Sequence, residues 1–131
     1  MYNETITFYS KTPPNKSELK NFNVKHYEDN NICWDDLEVF LFIEDGIIKD
    51  FWFTWDTSII TTACASIFWE SIIWVPIHDI LLMDYKTIEE LIDMEVSSRR
   101  KQASVLGLLT TRNAIHNYLE DEILDTFDDI I

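Results

Sequence analysis

Between Leu37 and Ile43 the chain alternates, with Leu37, Val39, Leu41 and Ile43 on one side and Glu38, Phe40 and Phe42 on the other. That period of two predicts a strand apolar on both faces. Glu44-Asp45-Gly46 reads as a turn with a glycine available for a left-handed position. Ile47 to Trp55 then reads as the return strand, with Phe51, Phe53 and Trp55 on one face and Ile48 and Trp52 on the other. A hairpin alone is marginal, so a third strand from around Phe22 to Tyr27 and helices on one face are expected.

Past the hairpin the period lengthens to that of helices. Ser58, or Thr57, is placed to cap a helix running to about Trp74, with Ile59, Ala63, Ile67 and Trp74 near one face and Ile60, Cys64 and Phe68 beside it. In that setting Cys64 reads as a small buried hydrophobe. Pro76 is expected to open a short helix through Met83, and Thr87 with Glu90 a capping box for another through Met94. From Ser98 a long final helix turns Val105, Leu108, Leu109, Ile115 and Leu119 inward. Phe40, Phe42 and Trp52 fall on the hairpin face away from the helices. The N-terminal segment with Tyr9 folds over them, or they form a homodimer surface.

Composition narrows the function. A chain of 131 residues, 47% apolar, fits one domain, taken as 1–131 with an acidic extension from about 120. No run approaches the roughly 18 apolar residues of a membrane span. The start, MYNETITFYSK, lacks the basic and apolar stretches of a signal peptide, so a reducing, cytoplasmic setting is expected. The net charge of −14 argues against nucleic acid and for a basic partner surface. Glu120, Asp121, Glu122, Asp125, Asp128 and Asp129 read as a solvated face or frayed tail. His26, His78 and His116 lack the spacing of a zinc site and read as ordinary surface or helix histidines. There is no phosphate-binding glycine loop and no nucleophile elbow, so no enzyme is expected.

Several segments carry a resemblance. NNICWDDLEVFLFIEDGIIKDFWF, from Asn30 to Phe53, resembles the first ligand loop and hairpin of iron-sulfur cluster assembly scaffolds of the IscU, NifU and SufU type, where the loop reads Asn-Pro-x-Cys-Gly-Asp. Phe8 to Leu19 resembles the family's N-terminal segment, and Trp55 to Glu70 its next loop and helix. Cys33 and Asp35 keep the Cys and Asp positions, with Trp34 in place of the glycine between them. Ser58 stands at the second cysteine and Cys64 at a helix serine. In Arg99-Arg100-Lys101-Gln102-Ala103, Gln102 stands at the third cysteine. The match spans most of residues 8 to 119.

The resemblance implies an α+β, SufE/NifU-like scaffold fold: a small three-stranded antiparallel sheet, helices packed on one face and a long C-terminal helix. It implies a cysteine desulfurase and apo-protein recipients as partners, Cys33 as sulfur acceptor, Asp35 as a supporting metal residue, and Arg99 and Lys101 at a partner surface. An iron-sulfur cluster is implied as cargo, or zinc as in SufU-type relatives. One thiolate suits neither, since clusters are usually held by four thiolates and structural zinc by four Cys or His. A stable cluster in one protomer is therefore not expected, and a dimer sharing two Cys33 thiolates is one way to hold it. Ser58 is expected to spend its hydroxyl on capping. Arg99 and Lys101 are equally suited to pairing with this acidic chain. The family's site glycines fall at Trp34, Trp55 and Thr57, which predicts a pocket filled by side chains. The alternative is a pseudo-scaffold, a binding or regulatory module that holds no cluster.

Overall fold

The computed structural model describes residues 3–12, 18–30 and 34–131. The strands β1 (Val24–Asn30), β2 (Asp35–Glu44) and β3 (Ile47–Asp56) form an antiparallel meander in the order β1-β2-β3. Both residues of the β2–β3 turn have positive φ, 57° at Asp45 and 73° at Gly46. Such mirrored turns suit the right-handed strand twist, and the second position falls to glycine at no steric cost.

One residue changes the expected faces of β3. Phe42 pairs with Asp50 but Ile43 pairs with Ile48, so Lys49 is an extra residue on β3, a bulge. An inserted residue reverses the parity of the strand beyond it. Ile48 therefore points inward with Phe53, both fully buried, instead of outward with Trp52.

The helices are α1 (Glu4–Lys11), α2 (Ile59–Ile72), α3 (Ile77–Ile80), α4 (Tyr85–Ile92) and α5 (Lys101–Leu119). They lie on the inward face of the sheet, built by Leu37, Val39, Leu41, Ile43 and Phe53. The helix α2 is buried on all sides from Ile60 to Trp69, packed by α1, α4, α5 and β3. It ends at Ile72, short of the expected Trp74, and both Ile59 and Trp74 are exposed rather than on the buried face. Trp69 joins the layers: its ring lies 4.3 Å from Phe53, and its indole N–H donates to Thr111 on α5 at 2.7 Å. One turn earlier, a Cβ on Gly107 would come within 2.7 Å of the Ala65 Cβ, so only glycine allows α2 and α5 this close. Both contacts advance in the same chain direction, so α2 and α5 run roughly parallel and start at the same end of the molecule.

Cys64 is buried in this core as a free thiol, and burial pushes its pKa up to about 12. Tyr9 packs toward α2 and donates to Glu70, so α1 belongs to the helical layer rather than folding over Phe40, Phe42 and Trp52, which are half-buried with Phe22 against Phe40. The helix α4 starts at Tyr85, with Asp84 as its cap: Asp84 accepts from the Lys86 amide, and Thr87 accepts from the Asp84 amide. Thr87 is thus the third residue of the helix and not its cap, because an aspartate three positions earlier takes the orphan donors.

The acidic C-terminus is neither frayed nor simply solvated. Beyond α5 the chain turns at Glu120 and folds back, burying Asp125 and Ile130, and the Ile130 carbonyl accepts the Tyr85 amide. Asp125 is held by Arg112 at 2.9 Å and by the ring of His116 at 2.9 Å, while the other His116 nitrogen meets Asp121 at 2.7 Å. Both ring nitrogens of His116 thus face carboxylate oxygens. His116 is therefore a buried clasp, not the ordinary surface or helix histidine expected. Asn113 accepts the Asp125 amide at 2.7 Å and donates back to its carbonyl. The signal for this clasp lay in Arg112 and His116, one helical turn apart and followed by carboxylates.

Candidate functional site

The ligand-loop end of the molecule is assembled where β2 begins and α2 begins. Cys33 lies outside the described residues. Asp35, the first residue of β2, is only 2% exposed. One of its oxygens accepts the Ser58 amide at 2.7 Å and the other the Thr61 hydroxyl at 2.6 Å. A carboxylate in this place satisfies a backbone donor at the helix start and lies at the positive end of the helix dipole. Ser58 is the N-cap residue of α2 as expected, but its hydroxyl makes no backbone cap bond and sits 3.1 Å from the Thr61 hydroxyl, while Asp35 holds its amide. Thr57 and Thr62 share a hydroxyl bond at 2.6 Å alongside.

The indoles do not fill a pocket here. Trp34 has φ 57° and is 87% exposed, its ring turned out to solvent. A glycine would adopt this backbone freely, whereas a bulky residue is held there at a cost of about 1 kcal/mol or more. Trp55 leans on Phe53 at 4.9 Å and is itself exposed. Both indoles thus shape the surface of this end rather than its interior.

Gln102 lies half-buried in the first turn of α5. Since α5 and α2 start together, it shares the end of the molecule that holds Ser58 and Asp35. Only Asp35 and Ser58 are joined directly. Lys101 has its ammonium 4.2 Å over the ring of Tyr85, a cation–π contact within the helical layer. Arg99 is exposed on the turn Ser98–Arg100 that leads into α5.

The donors described here do not suit a firmly held iron-sulfur cluster. Asp35 has both oxygens engaged, Ser58 and Gln102 offer hard neutral oxygens, and clusters favour thiolates. Among the described residues no group of three or more His, Cys, Asp or Glu side chains is placed to hold a metal ion. Cys64 is buried on α2, protonated, and occupied in packing.

Sequence and fold resemble those of known proteins. Residues 1–124 match the family model described as the NifU-like N-terminal domain. A curated relative, the iron-sulfur cluster assembly scaffold protein IscU of Thermotoga maritima, is 31% identical over 90 residues. That match covers 69% of this chain and 61% of the relative, so the matching part spans about three fifths of that protein's length. The chain belongs to the NifU-like N-terminal domain family.

Solved structures agree on the fold. A NifU-like protein (N-terminal) from Brucella abortus superposes with a TM-score of 0.75 at 14% identity, covering 91% of this chain and 94% of its own. A putative iron-sulfur cluster assembly scaffold protein for the SUF system, from Fervidobacterium islandicum AW-1, gives 0.72 at 20% identity, covering 87% and 96%. The α+β scaffold fold is therefore shown: a three-stranded antiparallel sheet with helices on one face and a long last helix.

Proposed function

We propose that this chain serves iron-sulfur cluster assembly as a divergent member of the scaffold family, with Cys33 as its one site thiolate. The observation that carries this reading is the 2.7 Å bond from the Ser58 amide to Asp35, which joins the ligand-loop strand to the start of α2. It keeps the framework of the ligand-loop end together although Ser58 and Gln102 replace thiolates. Cys33 accepts sulfur from a cysteine desulfurase, its thiolate attacking the terminal sulfur of a persulfide and releasing the desulfurase thiolate. Iron, sulfur or a cluster is cargo, completed by thiolates from a partner or a second protomer and passed to apo-protein recipients. Arg99, exposed beside this end, contributes to partner docking, and Lys101 holds the start of α5 against Tyr85.

The second reading is a pseudo-scaffold that binds partners without cargo. It is favoured by the Thr61 hydroxyl bond to the second Asp35 oxygen, after which each carboxylate oxygen is engaged within the protein. Anaerobic incubation with a cysteine desulfurase, cysteine, iron and sulfide separates the two, followed by intact mass, visible absorption and metal analysis. We expect a gain of one sulfur atom in wild type and none in Cys33→Ala, with no stable [2Fe-2S] cluster and only weak zinc binding in the isolated protomer. No sulfur transfer and no metal would establish the pseudo-scaffold. Stoichiometric zinc in protein purified without added metal would refute the expected weak binding.

A further inference from the structure

The strand register lays out the outward face of the sheet in rows that the sequence alone does not align. Lys25, Phe40 and Trp52 form one row, and Asp29, Asp36 and Asp56 another, one aspartate from each strand. Like charges directly opposed across strands are unfavourable. Tyr27 lies between the rows and its phenol pKa is raised, by desolvation first and then by the charges of Asp36 and Asp29. The face thus combines an acidic row that has no ion pair among the described residues with an aromatic patch whose Phe40 ring the Lys25 ammonium approaches at 6.0 Å. Phe40 and Trp52 are half-buried and in mutual contact at 4.9 Å, with Phe22 edge-on to Phe40 at 5.0 Å.

We propose that this face docks a cationic protein surface rich in arginine. A guanidinium stacks on indole and phenyl faces and pairs with carboxylates through the same planar fork. One side-chain type therefore answers both features, which lie two rows apart on adjacent strands. Charge decides against a second copy as the occupant. Each chain carries −14, so two copies repel, and this face offers a second copy one lysine, Lys25, against three aspartates. Nucleic acid is excluded by the same sign. The surface is on the opposite side of the sheet from the helices, so the inference stands whether or not the chain handles clusters.

The test titrates the full-length, isotope-labelled chain with octa-arginine and, separately, octa-lysine, following backbone amides by NMR. Shifts should concentrate on the outward positions of β1, β2 and β3. Octa-arginine should bind more tightly than octa-lysine, and Asp36→Asn with Asp56→Asn should weaken it about tenfold. That double variant keeps every aromatic and relieves a like-charge contact, so it retains the fold even if Trp52→Ala does not. Shifts confined to the other acidic groove, lined by Glu89, Glu90, Asp93 and Glu95 beside α4, would overturn the proposal. So would an unchanged affinity in the double variant. A dimer in sedimentation that Trp52→Ala dissociates would overturn it in favour of a second copy.

Discussion

Asp35 shows how one buried carboxylate takes on a structural task. Buried and bonded to the Ser58 amide and the Thr61 hydroxyl, it ties β2 to α2. Asp35→Ala removes one acceptor from two donors and should lower unfolding stability by about 2 kcal/mol in urea denaturation. Trp34 is the opposite case, a strained backbone holding an exposed ring. Trp34→Gly should raise stability by about 1 kcal/mol, measured the same way, if the left-handed backbone persists. Cys64 and Cys33 should separate cleanly under a thiol reagent near neutral pH. Folded wild type should label at one site and folded Cys33→Ala at none, because burial keeps the Cys64 thiol protonated up to about 12. The same shift has a sign for stability. The folded pKa lies above the unfolded one, so the thiol's contribution is complete below about pH 8.5 and is lost as pH rises toward 12. Thermal melts across that range, wild type beside Cys64→Ala, should show a steeper alkaline loss in wild type.

At the level of elements, the crossing of α2 and α5 governs the site, because it sets their starts side by side. Gly107→Ala places a methyl 2.7 Å from the Ala65 Cβ. It should cost about 1 to 3 kcal/mol, read from denaturant midpoints, with the helices forced apart. The helix positions themselves were legible, since apolar period and start signals mark α2, α4 and α5. Their exact edges were not. The start of α4 moved because Asp84 competes with Thr87 for the cap, and the bulge at Lys49 reversed Ile48 because register is fixed by pairing between strands, which no single strand announces. The cap of α2 was misassigned to the Ser58 hydroxyl for a related reason. A carboxylate 23 residues away reaches it first.

For the whole molecule, the acidic tail is the element most changed by tertiary structure. Arg112, His116 and Asn113 on α5 draw Asp121 and Asp125 back onto the fold. The Asp121 carboxyl is held below its ordinary range: desolvation raises it, but the hydrogen bond from His116 and the Ile123 amide outweigh that. A depressed carboxyl stabilises the fold above its unfolded value near pH 3.9, and the contribution disappears as pH falls through the lower folded value. Asp121→Asn should therefore flatten the loss of melting temperature between about pH 5 and pH 2 relative to wild type. The seat of the tail shows again that net charge does not reveal which charges are solvated. Asp125 is buried beside an arginine, while the aspartate row of the sheet is left facing water.

Read alone, the sequence carries the family, the α+β class, the hairpin and its turn, and the buried character of Cys64. These follow from local period, turn chemistry and residue identity, which a chain carries wherever it folds. Tertiary structure alone reveals that Asp35 holds the start of α2, that Trp34 faces outward, that His116 clasps the tail, and that three aspartates line up across the sheet. The contacts among these join residues five to 26 positions apart, and they are set by strand register and by how the chain folds back rather than by any local pattern.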